Sequence, residues 1–394
     1  MIKKENHAKI IFHIDMNAFF CSVACILNPS LRGKAFAVGR ENTYKGVIST
    51  ASYEARALGI HSAMPLSEAY KIKPDLIVVN NDYKIYSYYH KKFVDLIKEY
   101  TDIIEVASID EVYADMTLKS LSMHPIVIAK EIQARLLKEY DLSASIGIAP
   151  TLFLAKMASD LKKPLGLVVL RKRDIKDILY PLSVKDIFGI GKKTYPILID
   201  NGIKTIADFM DLNNKEKILN LIGDKTYDYA YNALSGNSSN LVMPNRYEKS
   251  ESISTSQTYD IPLNDIEEAL YELRSMLRSI FSRMNNDNYY TKCVNIQLRD
   301  TSFKTITRQY SLDEYTNDYQ IIYNAMITLL EDNFNDNLSY RLIGVGLSNL
   351  VKKEDLKEEY NIFTVSTKEE KELAFNKLKK SLEEKYGNKV IKKG

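Results

Sequence analysis

The first 176 residues interleave short β-branched runs with longer segments of helical periodicity, and no other feature limits the fold as much. The runs are "KIIFHID", "AFAVG", "DLIVVN", "DIIEVAS" and "SASIGIA"; between them stand segments such as "YSYYHKKFVDLIKEY" and "IVIAKEIQARLLKEY". In the last segment Ile126, Ile128, Ile132, Leu136 and Leu137 fall largely on one helical face, which must lie on an apolar layer. Strands alternating with amphipathic helices are satisfied by an α/β layer. Two of the runs end on acid. "FHID" stops at Asp15 and the chain restarts as the aromatic pair Phe19 and Phe20, while "VASIDEVYADM" carries the adjacent carboxylates Asp110 and Glu111. If these two strands are neighbours, three carboxylates converge at one sheet edge. Such a cluster repels itself unless hard cations sit among it, and Mg²⁺ is held by a few carboxylates plus phosphate oxygens. Taken alone, a strand-ending aspartate is commonly a turn residue, and a DE pair is commonly solvated surface.

A chain of 394 residues exceeds one ordinary core, so roughly two to four domains are expected. Residues 177–242 read as short helices separated by Gly and Asp/Asn turns, and the polar stretch "SGNSSNLVMPNRYEKSES" reads as a linker. Beyond it, helical segments near 264–286 and 314–334 interleave with the strand patterns "KCVNIQLRD" and "YRLIGVGLS", an α+β pattern. The last 43 residues look like an extended segment followed by a charged helix.

Hydrophobic content of 45% with 27% charged residues describes a globular chain, not a disordered one. There is no run of eighteen apolar residues, and "MIKKENHAKI" lacks the apolar core of a signal peptide. Cys21, Cys25 and Cys293 form no CxxC pair and point to a reducing compartment; five scattered histidines give no zinc-ligand spacing. These features together describe a cytoplasmic, bacterial-type protein with no membrane partner. The net charge of +3 is unevenly spread. Residues 1–176 hold 25 Lys and Arg against 19 Asp and Glu, whereas residues 246–351 hold 10 against 15. A nucleic-acid partner is allowed by the first half and not demanded by the whole.

Several longer motifs stand in order. "DMNAFF" precedes "NPSLRGKAFAVG", "GVISTASYEARALGIHSAMP" and "DYKIYSYYH"; then come "SIDE" with "YADMT", and "SIGIAPTLFLAKMASDLKKPLGL". In these motifs and their spacing the chain resembles the Y-family translesion DNA polymerases of the bacterial DNA polymerase IV type, from about Ile11 to the end. The resemblance implies an α+β multidomain, right-hand fold. Its ferredoxin-like palm would take residues 1–27 and 88–176, its small fingers 28–87, and its helical thumb with a helix-hairpin-helix 177–242. A linker at 243–251 would lead to an α+β little finger at 252–351 and a tail at 352–394.

The same resemblance implies roles. Asp15, Asp110 and Glu111 would ligate two Mg²⁺ (Mn²⁺ substituting), with the backbone carbonyl of Met16 assisting and Glu111 nearest the primer 3′-hydroxyl. Phe20 would be the steric gate against a ribose 2′-hydroxyl; Phe19 reads as a core aromatic pointing the other way if the chain is extended there. Asn17 and Ala18 would line the nucleotide site. Thr50, Tyr53 and Arg56, spaced by three, would share a face if a helix starts near Ser52, and with Lys163 would bind the nucleotide's phosphates. In "VKDIFGIGKKTYPILIDNGIKTIADF", Gly189 and Gly191 would turn backbone amides toward a DNA phosphate beside Lys192 and Lys193, though a plain structural turn fits the same residues. Lys249, Ser252, Ser254, Arg308 and Arg341 are candidate backbone contacts of the little finger. The excess of acid there requires either that charges segregate by face or that this domain grips weakly. In "EYNIF" the tail keeps Ile362 and Phe363 of a clamp-binding segment but has Glu359 where glutamine is usual, so it would dock on the sliding clamp or tuck against the body.

The expected activity is template-directed, low-fidelity addition of deoxynucleotides to a primer on damaged templates. The enzyme would be a monomer, nucleoid-associated, acting in DNA repair and damage tolerance, without a proofreading exonuclease because no additional acidic cluster is visible. Two departures stand out: Asn17, where many relatives carry a second aspartate and to which no metal role is given, and Ala24, where relatives usually carry glutamate. A nucleotide cyclase with the same two-metal palm is disfavoured by the helix-hairpin-helix and the linked last domain. A catalytically dead DNA-binding relative would have lost a carboxylate, and none is lost.

Overall fold

The computed structural model describes residues 8–41, 43–246 and 248–356. It divides into two compact units between Lys249 and Ser250, inside the stretch expected as a linker.

The first unit begins with β1 (Ile11–Met16) and α1 (Phe19–Leu27). A small layer follows: β2 (Phe36–Val38), β3 (Thr50–Ala51), α2 (Tyr53–Ala57), α3 (Leu66–Ile72) and β4 (Ile77–Val79). The chain then returns through α4 (Tyr83–Lys98), β5 (Ile104–Val106), β6 (Glu111–Asp115), α5 (Pro125–Tyr140), β7 (Ala144–Ala149), α6 (Leu152–Asp160) and β8 (Leu167–Val169). The main sheet has the order β5-β6-β1-β7-β8, antiparallel except for β7 and β8. Alternation along β1 sorts its residues between two layers. Phe12, Ile14 and Met16 enter a core with α1, α4 and α5, while Ile11, His13 and Asp15 face α6. The small layer has its own sheet, β3-β2-β4, and its own core around Ile48, Ile60 and Leu66.

Caps start the helices where the sequence offers them: Ser52 before α2, Asp82 before α4 and Thr151 before α6 each accept from a first-turn amide. A helical block completes the unit: α7 (Ile175–Ile178), α8 (Tyr195–Asp200), α9 (Ile206–Met210), α10 (Lys215–Ile222) and α11 (Asp224–Leu234).

The second unit contains β9 (Ser252–Leu263), α12 (Ile266–Asn286), β10 (Tyr289–Asp300), β11 (Thr305–Thr316), α13 (Tyr319–Asn333), β12 (Tyr340–Ser348) and β13 (Val351–Lys352). Its antiparallel sheet runs β11-β10-β12-β9, with α12 and α13 packed on one face. The helix expected from residue 314 starts later because β11 continues to Thr316. No helix among the described residues is long and apolar enough to cross a membrane.

Candidate active site

The pairing of β1 with β6 sets Asp15 directly opposite Glu111, so their side chains leave the sheet on the same face. Asp110 lies one residue before β6 on the bend that joins it to β5, and its carbonyl accepts the Met16 N–H at 2.9 Å. Two of the three carboxylates come together and the third stands beside them: Asp110 Oδ1 instead accepts from Ser108 Oγ at 2.6 Å. Among the described residues no three acidic, histidine or cysteine side chains converge on one point.

Two ammonium groups occupy this edge. Lys156 Nζ, from α6, lies 2.8 Å from Glu111 Oε1 and 3.2 Å from Asp15 Oδ2; Lys163 Nζ lies 2.6 Å from Asp15 Oδ2 and 2.8 Å from Asp160 Oδ1. Burial is the largest influence on Asp15 and, with the adjacent Glu111, pushes its carboxyl up to about 6 against the pull of the two lysines. Burial acts on Glu111 in the same direction, yet the nearby His13 ring and Asp15 carboxyl and the Lys156 ammonium outweigh it and hold the group well below the usual carboxylate range. The lysines are likewise held above their ordinary value by the carboxylates despite burial. Hard oxygen donors gathered where positive charge is already drawn in fit a divalent cation.

Sequence reasoning missed Lys156. The signal was available: it is a lysine within the otherwise apolar helix "LFLAKMAS", whose every residue is buried. It reaches the carboxylates because Gly147 lets α6 lie close on β7. A Cβ at that position would stand 2.9 Å from Ala158 Cβ and closer still to the α6 backbone at Ala155 and Ser159.

The aromatic pair does not continue as an extended chain. Ala18 takes φ 41 and α1 begins at Phe19, so the two rings diverge by about 100° around a helix. Phe19 enters the core as expected, for a different geometric reason. Phe20 is half-buried and stacks on Tyr86 at 4.0 Å with the rings 9° from parallel, while Tyr83 meets it edge-on at 6.0 Å.

Thr50 lies on β3, before the helix that Ser52 caps, so only Tyr53 and Arg56 share a helical face. The Arg56 guanidinium sits 5.1 Å from the Tyr53 ring centroid and donates from Nε to Ala51 O. Asn17 is buried, with its side chain bonded to Ser145 and to the backbone of Leu165, two residues after Lys163.

In the helical block, Gly189 takes φ 93, a conformation that favours glycine, while Gly191 has open space around its Cα. Among the described residues, the amides of Gly191, Lys192 and Lys193 meet no acceptor in the chain. In the second unit the register places Ser252, Ser254, Ser256, Asn295, Gln297 and Thr307 on the sheet face opposite the helices. Glu267, Glu268, Glu272, Glu331 and Asp332 lie on α12 and α13, but α12 also carries Arg274, Arg278 and Arg283, so the two helices hold five acids against three arginines and account for only part of the acid excess. Arg308 sits opposite the inward-facing Ile296 and so leaves the open face, and the Arg341 guanidinium covers the Phe303 ring at 3.9 Å. Lys249 ends the first unit. Glu359, Ile362 and Phe363 lie outside the described residues.

Comparison with known proteins decides the family. The impB/mucB/samB family profile matches residues 14–160, and the profile of that family's C-terminal domain matches residues 250–359. A DNA polymerase IV of Oceanobacillus iheyensis is 37% identical over 98% of this chain and 92% of its own length. The chain belongs to the Y family of DNA polymerases. A DNA polymerase IV of Ureaplasma parvum is 34% identical over 91% of this Y-family chain and 99% of its own. Among solved structures, a Y-family chimera built from Dbh and Dpo4 aligns with TM-score 0.77 at 26% identity, covering 87% of this chain and 99% of that one. The DinB protein of Sulfolobus solfataricus aligns with TM-score 0.60 at 27% identity, over the same shares. The main sheet, the small layer, the helical block and the second unit are therefore the palm, fingers, thumb and little finger of a DNA-directed DNA polymerase of the translesion type, a family that depends on a divalent metal.

Proposed function

We propose that this polymerase joins deoxynucleotides to a primer 3′-hydroxyl at the β1/β6 edge, where Asp15, Asp110, Glu111 and the Met16 carbonyl hold two Mg²⁺ ions or Mn²⁺ in their place. One observation carries the reading: Asp15 and Glu111 are cross-strand partners on one face, and the Asp110 peptide is bonded to Met16 at the same edge. Cations bound there would lower the cost of activating the attacking hydroxyl and of releasing the pyrophosphate oxygen. The chain's own residues do the rest. Glu111 lies toward the primer hydroxyl, and Lys163 and Arg56 balance the charge of the triphosphate. Thr50 and Tyr53 donate hydroxyls to it, and Asn17 and Ala18 form the turn beneath it. Phe20, its ring fixed by Tyr86, excludes a 2′-hydroxyl by overlap that a small shift does not relieve; Phe19 anchors the helix that carries it.

Primer–template DNA and a dNTP are the ligands of this reading, supported by relatives solved as ternary complexes, one of them an insertion complex of Dbh DNA polymerase. The free amides of Gly191, Lys192 and Lys193 support a phosphate contact by the thumb, and the uncharged polar sheet face supports backbone contacts through Ser252 and its neighbours. Arg341 and Lys249 belong to the same proposal, as does Arg308, which stands on the helix side of the edge strand β11 rather than on the open face. The enzyme acts as a distributive, error-prone monomer without proofreading, tethered to the sliding clamp through Ile362 and Phe363.

The test is primer extension with Mg²⁺ and four dNTPs, run beside the Asp110→Ala, Glu111→Ala double variant. Extension by the wild type alone supports the reading. Binding of primer–template by both, with extension by neither, refutes it.

A further inference from the structure

The segment that carries Lys163 has no regular structure between the end of α6 at Asp160 and the start of β8 at Leu167, so its position depends on individual bonds. Two neighbouring side chains, Asn17 and Ser145, take its Leu165 and Gly166 amides. Asn17 is only 1% exposed, and its own N–H donates to Ser143 O at 2.8 Å. A primary amide offers one acceptor oxygen and two donor hydrogens. The Leu165 N–H is a donor, so the atom facing it at 2.9 Å is Oδ1, which fixes the orientation of the whole group. Nδ2 then donates to Ser145 Oγ at 2.9 Å.

Ser145 is fully buried on β7 opposite Asp15 and also accepts the Gly166 N–H at 3.2 Å. The Gly166 carbonyl takes Ile146 N–H at 2.8 Å and Gln133 Nε2 at 3.1 Å. Residues 165 and 166 are thus tied to the sheet by bonds whose partners are shielded from water, where each counts for more than at the surface. Two residues upstream, the Lys163 ammonium is delivered to the Asp15 edge.

We propose that Asn17 is a positioning residue. Its amide, braced by Ser145, holds the Lys163 segment against β7, so that the Lys163 ammonium meets the triphosphate from a fixed backbone. The inference rests on the reading of Lys163 as a triphosphate contact. It gives Asn17 a purpose other than touching the nucleotide or a metal ion.

The experiment uses the full chain and four variants: Asn17→Leu, Ser145→Ala, Lys163→Met and the Asn17→Leu, Lys163→Met pair. Acylation of Lys163, followed by mass spectrometry without DNA or nucleotide, reads whether the segment is held. Single-nucleotide incorporation reads KM for dNTP and kcat separately. Asn17→Leu should label several-fold faster at Lys163 and raise KM about tenfold, with kcat within about twofold, the loss expected for one displaced charge-assisted contact. The pair should be no worse than Lys163→Met, because both changes remove one interaction. Unchanged labelling, or effects that multiply in the pair, overturns the proposal. If Lys163→Met alone leaves KM unchanged, the triphosphate reading fails, and the labelling still decides whether Asn17 holds the segment. Should Asn17→Leu fail to fold, Ser145→Ala, which removes the Gly166 tie and keeps the Leu165 bond, makes the same comparison with a smaller expected change.

Discussion

Gly147→Ala should damage this polymerase through both its stability and its carboxylate edge. The new Cβ would stand 2.9 Å from Ala158 Cβ, and the backbone of Ala155 and Ser159 would be nearer still. Carbon atoms prefer about 3.5–4.0 Å, so α6 must retreat from β7 by about 1 Å or more. The obstruction is helix backbone rather than the end of a flexible side chain, which puts the cost near the upper end for overpacking, about 3 kcal/mol. For a unit of this size that is a fall in melting temperature of about 6–12 °C. The consequence for the site follows from the same shift. Lys156 Nζ, now 2.8 Å from Glu111 and 3.2 Å from Asp15, would move to about 4 Å, past hydrogen-bond reach. Thermal melting and primer extension below the lowered transition read the two effects separately. A variant that melts like the wild type and extends at the wild-type rate would refute the claim that close approach of α6 sets the electrostatics of the carboxylate edge.

Phe20→Ala should raise ribonucleotide incorporation relative to deoxynucleotide by about 100-fold or more; unchanged sugar selectivity in single-nucleotide assays would remove the ring from the gate. Gly191→Ala meets nothing within 4 Å and should leave melting unchanged while weakening duplex binding a few-fold in a low-salt gel shift. Equal affinity would mean that the free amides there do not face phosphate. Glu105 is buried on β5 and takes both the Arg246 guanidinium at 3.0 Å and the Met243 N–H at 2.9 Å. Glu105→Ala should therefore cost about 2 kcal/mol, discounted for the partly exposed arginine, and an unchanged denaturation midpoint would contradict it. Replacing Glu267 and Glu268 by Gln should leave DNA affinity unchanged near 0.15 M salt and raise it near 0.01 M. A gain of equal size at both salts would place those charges against the DNA.

What was legible in the sequence was whatever repeats locally or stands in a fixed order. The strand runs and the one-sided helix "IVIAKEIQARLLKEY" follow from a period, whereas the pairing of the two acid-bearing strands entered only as a condition that the register then met. The start of α1 at Phe19 was not legible. Helix and extended chain differ there only through Ala18, whose positive φ no residue preference announces. Lys156 was visible as a lone lysine in an apolar run, but its reach was not: it depends on Gly147, nine residues earlier on β7, and a glycine required for close helix–sheet approach looks in sequence like any other glycine. The Asn17 amide network joins residues 128 and 148 positions apart, which no window along the chain spans.

Arg274, Arg278 and Arg283 balance the three glutamates of α12, so only two of the five excess acids of the little finger stand on its helices. Its sheet separates two surfaces. On one, hydroxyls, amides and the two glycines Gly344 and Gly346 present a neutral, low-relief surface, and Arg299, near the end of β10, is bonded to Thr305. On the other, five of the domain's carboxylates stand on α12 and α13, outward from the sheet by about a helix diameter, 10–12 Å, those of α12 beside as many arginines. At physiological ionic strength the screening length is about 8 Å, so the open face is largely screened from them. A neutral surface releases few counterions when it meets a phosphate backbone, so under the proposed reading its contribution is hydrogen bonding and shape, nearly independent of salt. The salt-dependent part of DNA binding then falls to the first unit, where Lys192, Lys193 and the excess of Lys and Arg over residues 1–176 stand. Such a division suits an enzyme that must release and rebind its template: grip follows ionic conditions in one unit, while the other tolerates any sequence or lesion that preserves the backbone's spacing.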